Sequence, residues 1–286
     1  MKLCASLLAL WLAGLGLAAA PGAAQVFDHA AFDTVLSRFV RDGRVDYAAL
    51  AIGREALDGY LQEVAAVEGA AFAAWPEEEQ IAYLINAYNA YTLKTVVDHY
   101  PIKGSSFLKK LTSPKRFGFP SNSIRHIDGV FDGISHTVTG REMTLDDIEH
   151  GLLRAEFDEP RIHFALVCAA VSCPPLREEA FKGDRLDEQL DEQGRRFLND
   201  PRLNRFEIER GQVYLSKIFD WFGDDFRGHA SEAIYASDAK ISGVLTFVTR
   251  YLRERTVEFL ESADYRVDFL DYDWTLNDQA VAAITQ

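Results

Sequence analysis

The 286-residue chain carries 44 acidic against 30 basic side chains, a formal charge of -14, and 48% of its residues are hydrophobic. That acidity argues against a general binder of nucleic acid or of anionic membranes, because both present dense negative charge. The length and apolar content suffice to bury a substantial core, and neither low-complexity linkers nor repeats divide the chain.

The N-terminus joins Lys2 to an apolar run, Leu3 to Ala20, and then to Pro-Gly-Ala-Ala-Gln. Charge, hydrophobic stretch and small residues in that order predict a secretory signal peptide over 1–24, cleaved before Gln25. A signal anchor is the rival, since about 18 apolar residues approach the spanning length. Cleavage leaves one globular domain over 25–286, without a membrane-spanning segment, in the periplasm or outside the cell. Cys168 and Cys173 are then the only cysteines, in an oxidising compartment.

Helical periodicity runs over Ala30 to Val40 and Arg54 to Val64, and most strongly over Glu77 to His99, where Pro76 and three glutamates suit the first turn. The last helix has two apolar stripes, one through Ile81, Leu84 and Tyr88 and another through Ala82, Ala90 and Leu93, so it should be central and covered on both sides. Asn86 and Asn89 fall one turn apart on its second face. Buried amides need partners: either they tie down neighbouring backbone, or they line a cleft and orient a substrate amide or an imidazole.

Irregular strands are expected over Ile124 to Phe131 and His136 to Val138. Thr144 to Asp147 resembles a capping box that opens a helix to Arg154 and carries His150. His163 to Ala170 reads as a buried strand stopped by Pro174-Pro175. A charged amphipathic helix follows over Asp184 to Asn199, with Leu186, Leu190 and Phe197 inward. Beyond it come a hairpin over Phe206 to Leu215 turning at Arg210-Gly211, an aromatic run from Ile218 to Phe226, a helix over Ala239 to Arg253 and a late strand over Tyr265 to Trp274. Helices with separated short strands give an α+β fold, a central buried helix packed on a small, mostly antiparallel sheet with surrounding helices.

The segment RIHFALVCAAVSCPPLR, Arg161 to Arg177, concentrates the reactive side chains. A cysteine thiolate is a strong nucleophile near neutral pH once an imidazole or a positive dipole activates it. In a regular strand His163 and Cys168, five positions apart, point to opposite faces. His150 on its packed helix is then the more natural base, unless the strand is bulged. The spacing of these histidines and cysteines lacks the short Cys-x-x-Cys knuckle of zinc sites. No metal or cofactor is therefore assigned, and a disulfide remains the alternative to a reactive thiol.

Five motifs in order, INAYNA (Ile85 to Ala90), TLDDIEHGLLR (Thr144 to Arg154), the Arg161 to Arg177 segment, LSKIFDWFGDDF (Leu215 to Phe226) and YDWTLN (Tyr272 to Asn277), resemble the domain of unknown function family 547. The resemblance spans about Glu77 to Asn277. Plant members often carry serine at the position of Cys173, which favours Cys168 as the functional cysteine, and relatives commonly have glycine where this chain has Ala169. A helix against an antiparallel sheet, with cysteine and histidine at the junction, is also similar to the papain or transglutaminase-like architecture.

Two functions follow as expectations. One is an exported cysteine-dependent hydrolase or acyl transferase acting on an amide or thioester of a small molecule or peptide. In it Cys168 is the nucleophile, His150 or His163 the base, and Asn86, Asn89 and Arg177 hold the substrate. The other is a non-catalytic envelope binding or structural protein with Cys168 and Cys173 joined as a disulfide.

Overall fold

The computed structural model of the protein describes residues 26–104, 118–229, 238–262 and 264–282. The expected signal peptide lies outside the described residues. The first half is helical: α1 (Ala30–Phe39), α2 (Tyr47–Ile52), α3 (Glu55–Ala66) and α4 (Glu77–Asp98). A two-stranded ribbon of β1 (Val40–Arg41) and β2 (Arg44–Val45) joins α1 to α2.

From Ile81 to Val97 every residue of α4 except Lys94 is buried, so the helix is central and covered on both sides as its two stripes predict. The neighbouring helices α2 and α3 cover part of it, and the segments flanking the two cysteines cover more. On one side Tyr91 reaches the hairpin of β3 (His136–Val138) and β4 (Arg141–Met143), where its hydroxyl donates to the Thr137 carbonyl at 2.7 Å and its ring stacks on His136.

The second half builds a separate cluster of aromatic side chains, Phe164, Phe197, Phe219, Phe226 and Phe247 among them. It lies among α5 (Leu186–Leu198), α6 (Lys217–Phe222), α7 (Ala239–Val248), α8 (Glu254–Glu261) and a three-stranded sheet. In that sheet β5 (Arg205–Glu207) runs antiparallel to β6 (Gln212–Leu215), and β6 parallel to β7 (Arg266–Phe269). The hairpin turns where the sequence places it, with Gly211 at a φ of 57° that glycine adopts without steric cost. The chain is an α+β protein whose sheets are small and mostly antiparallel.

Three expected elements differ. His163 to Ala170 is not a strand: Pro160–Phe164 forms a 3-10 helix, and irregular backbone carries the chain on to Ala170. Pro160 at the first position and the Glu159 carboxylate accepting from the Arg161 amide both favour a helical start. Only Ala170 pairs with another segment, as an isolated antiparallel bridge to Leu276. Ile124 to Phe131 likewise starts as a 3-10 turn, Ile124–His126, capped by Ser123. The late strand is confined to Arg266–Phe269.

The loss of the strand removes the parity that separated His163 from Cys168. What replaces a neighbouring strand is a side chain: Asn89 Nδ2 donates to the Ala165 carbonyl at 3.0 Å, and its Oδ1 accepts from the Val167 amide at 2.9 Å. Asn86 does the same for Phe181, at 2.7 and 3.0 Å. Each amide satisfies one buried carbonyl and one buried N–H, at about 1 to 3 kcal/mol for every group that would otherwise be left unpaired.

Candidate functional site

Where the two halves meet, a cavity of about 340 Å³ opens over the cysteine segment. Cys168 and Cys173 form a disulfide, with their Cα atoms 6.3 Å apart, and both line this cavity. The sulfurs differ in their surroundings. Cys168 is partly exposed, whereas Cys173 is 4% exposed and its Sγ accepts from the Cys168 amide at 3.0 Å. The Tyr272 hydroxyl lies 3.2 Å from Cys168 Sγ and 3.1 Å from Cys173 Sγ. Burial pushes the Tyr272 phenol upward, so it keeps its proton at any physiological pH.

The turn that places these groups depends on Ala169, whose φ of 58° lies in the left-handed region. An L side chain pays a steric cost there and glycine does not. The turn is held from the far end of the chain: Asn277 donates its amide to the Ala169 carbonyl and Val171 donates to the Thr275 carbonyl.

One wall comes from the helix that follows Thr144. The capping box forms reciprocally, the Asp147 carboxylate accepting from the Thr144 amide and hydroxyl while the Asp147 amide donates back to Thr144 Oγ1. The turns that follow, Asp147–Leu153, are π-helical, a widened form frequent at functional sites. Glu149 and His150, adjacent in sequence, both line the cavity. Glu149 is 8% exposed, and burial, reinforced by Asp146, pushes its carboxyl up to about 7 even though Tyr88 hydrogen-bonds to it. His150 lies exposed at the rim, its Nδ1 accepting from Arg154 at 3.1 Å. Partial burial, then Arg154, lowers its imidazole pKa.

His163 stacks on Phe222 at 4.3 Å between ring centres, and its Nε2 donates to Asp225 Oδ2 at 2.8 Å. Burial lowers this imidazole below its ordinary value against the pull of Asp225, so the ring is neutral near pH 7. Asp225 also accepts two bonds from Arg154, at 2.6 and 2.7 Å. Burial opposes ionisation of Asp225, but the bonds from Arg154 and His163 prevail and hold its carboxyl far below the usual carboxylate range.

The remaining walls are aromatic. Trp221, 43% exposed, lies over Tyr272 and Trp274 with ring centres 4.8 and 6.1 Å away. The Arg125 guanidinium sits 5.1 to 5.5 Å from the rings of Trp274, Phe119 and Phe131, within cation–π reach.

Cys168, His150 and His163, the residues proposed for catalysis from sequence, therefore line one cavity. Asn86, Asn89 and Arg177 are not among its lining residues. Both asparagine amides are spent on backbone. The Arg177 guanidinium pairs with Glu179 and Glu192 at 2.5 and 2.9 Å and reaches the Gln189 carbonyl. Sequence reasoning overlooked Glu149, Tyr272, Trp221, Trp274 and Arg125. Glu149 was adjacent to a singled-out histidine, and the YDWTLN motif held Tyr272 and Trp274. Among the described residues, no group of three or more His, Cys, Asp or Glu side chains is disposed to hold a metal, and no helix is long and apolar enough to cross a membrane.

These features define an α+β protein with an aromatic cleft floored by a cystine. Residues 72–198 match the model of the family described as "Protein of unknown function, DUF547". The matched span holds both asparagines, both histidines and both cysteines, whereas Trp221, Asp225, Tyr272 and Trp274 lie beyond it. No curated protein and no solved structure matches the chain.

Proposed function

We propose that this is an exported ligand-binding protein whose cleft takes up a small, largely apolar or aromatic molecule above the Cys168–Cys173 cystine. The observation that carries the reading is the cleft itself, with aromatic walls, a few ionisable side chains (Arg125, Asp146, Glu149, His150 and His163) and a floor whose two sulfurs are bonded to each other. Its volume falls at the small end of ligand pockets, about 300 to 1,000 Å³. Export is supported by the charged and apolar N-terminal pattern and agrees with a disulfide formed in an oxidising compartment.

The test is titration of the mature protein with N-phenylnaphthylamine, a neutral aromatic probe, followed by tryptophan quenching and probe emission. Saturable one-to-one binding is expected, weakened about tenfold in Trp221→Ala, the equivalent of one aromatic contact. Absence of saturable binding, or equal affinity in Trp221→Ala and wild type, overturns the reading. A cysteine hydrolase or acyl transferase is the second reading. It draws support from His163, paired with Asp225, lining the same cleft as Cys168, and it requires the reduced protein. Acyl-substrate turnover that appears only after reduction would favour it.

A further inference from the structure

We propose that the cystine in the cleft floor is reactive and exchanges with a small thiol bearing an apolar or aromatic body, Cys168 being the sulfur attacked and Cys173 the sulfur released. This deepens the ligand-binding reading and rests on it. The two sulfurs are not equivalent. Cys168 is partly exposed and lines the cavity, so an incoming sulfur held by the aromatic walls has access to it. Cys173 is buried, and its Sγ alone accepts from the Cys168 amide, at 3.0 Å, while the Tyr272 hydroxyl stands between the sulfurs, 3.1 Å from Cys173 and 3.2 Å from Cys168. Negative charge arriving on Cys173 therefore finds hydrogen bonds already aimed at it. A stabilised leaving thiolate accelerates thiol–disulfide exchange.

The ligand thiolate attacks Cys168 Sγ, and a bond forms between the ligand sulfur and Cys168 as the Cys168–Cys173 bond breaks. The electron pair of the broken bond goes to Cys173 Sγ as a thiolate. A second ligand thiolate then attacks the ligand sulfur of the mixed disulfide and releases Cys168 as a thiolate. Two ligand thiolates have become one ligand disulfide, the cystine has become two thiolates, and the same steps run backwards return it to the oxidised state. A small thiol and its own disulfide are thus the only reactants.

The exchange is tested with dipyridyl disulfide, an aromatic disulfide whose released thiopyridone absorbs in the near ultraviolet, on folded single-cysteine variants. Cys173→Ser, which leaves Cys168, should react at least about tenfold faster than Cys168→Ser, which leaves Cys173. In the wild type, thiophenol followed by acid quenching and peptide mapping should place the trapped adduct on Cys168, a measurement that does not depend on either variant folding. Tyr272 acts as a positioning residue. In the Cys168→Ser background, Tyr272→Phe should raise the pKa of the Cys173 thiolate, read from its ultraviolet absorbance, by about one unit through loss of a charge-assisted hydrogen bond. A merely structural tyrosine would leave that pKa unchanged. Equal rates at the two cysteines, an adduct on Cys173, or a cystine that thiols reduce only after unfolding would overturn the inference. If N-phenylnaphthylamine still binds in that case, the ligand-binding reading stands; if it does not bind, that reading falls as well.

Discussion

Glu149→Gln tests the electrostatics of the cleft directly. The carboxyl is pushed from its ordinary value of 4.5 up to about 7, chiefly by burial and then by Asp146. A raised carboxyl means that the folded state binds the proton more tightly than the unfolded chain does. Between those two values the folded protein holds more protons, so stability falls as pH rises. The favourable contribution is complete below the unfolded value and is lost as pH rises through the folded one. A gap of about 2.5 units at about 1.4 kcal/mol each gives a loss of order 3 kcal/mol. Glutamine matches the protonated acid in shape and cannot ionise. In urea unfolding from about pH 4 to about pH 8, the variant should equal wild type at the acid end and exceed it by about 2 to 3 kcal/mol at the alkaline end, with similar m-values. Curves that run parallel across the whole range would refute the buried, proton-holding carboxyl.

Asn89→Leu leaves the Ala165 carbonyl and the Val167 amide buried without partners and should cost about 2 to 6 kcal/mol by chemical denaturation, whereas a loss below about 1 kcal/mol would mean that those groups find water. Ala169→Gly relieves a left-handed alanine, worth about 1 to 2 kcal/mol, against about 0.5 to 1 kcal/mol of added backbone freedom, so a small net gain in stability is expected and a loss above about 1 kcal/mol would contradict the strain argument. Arg154→Met removes a cation that lowers the His163 imidazole and leaves Asp225 to that imidazole, so the His163 proton resonance should titrate at higher pH than in wild type; an unmoved titration would show that the pair is not coupled.

The helices were legible because their signals are local. The two-faced apolar pattern of Glu77–Asp98, the Thr144/Asp147 capping box and the inward Leu186, Leu190 and Phe197 all survive in the structure. So does the turn at Gly211. The candidate site was legible only in part, because its chemistry depends on distant contacts. An apolar run such as His163 to Ala170 suits a buried strand and equally a buried irregular segment. Nothing within it announces that Asn89, nearly eighty positions away, supplies the missing hydrogen bonds. The π-helical turns that bring Glu149 to the cleft alongside His150 have no sequence signature either. Periodicity could therefore place Asn86 and Asn89 on a buried face without telling a backbone tie from a substrate contact.

The size of the disulfide loop bears on why the cystine sits where it does. Cys168 and Cys173 are five positions apart. Closing so short a loop lowers the entropy of the unfolded chain by only about 2 kcal/mol equivalent. That is no more than the two hydrogen bonds of Asn89 contribute. A domain of this length draws its stability from two aromatic-rich cores and does not depend on staples, unlike small secreted folds that cannot build a core. The turn is moreover held by Asn89, Thr275 and Asn277, whether or not the sulfurs are bonded. Stability alone therefore gives little reason to place a cystine at this point. Its position does: both cysteines line an aromatic cavity, Cys168 is partly exposed while Cys173 is buried and accepts from the Cys168 amide, and a tyrosine hydroxyl touches both sulfurs. The asymmetry between Cys168 and Cys173 is a property of the site and not of the staple, which makes the relative reactivity of the two sulfurs the measurement that bears most directly on function.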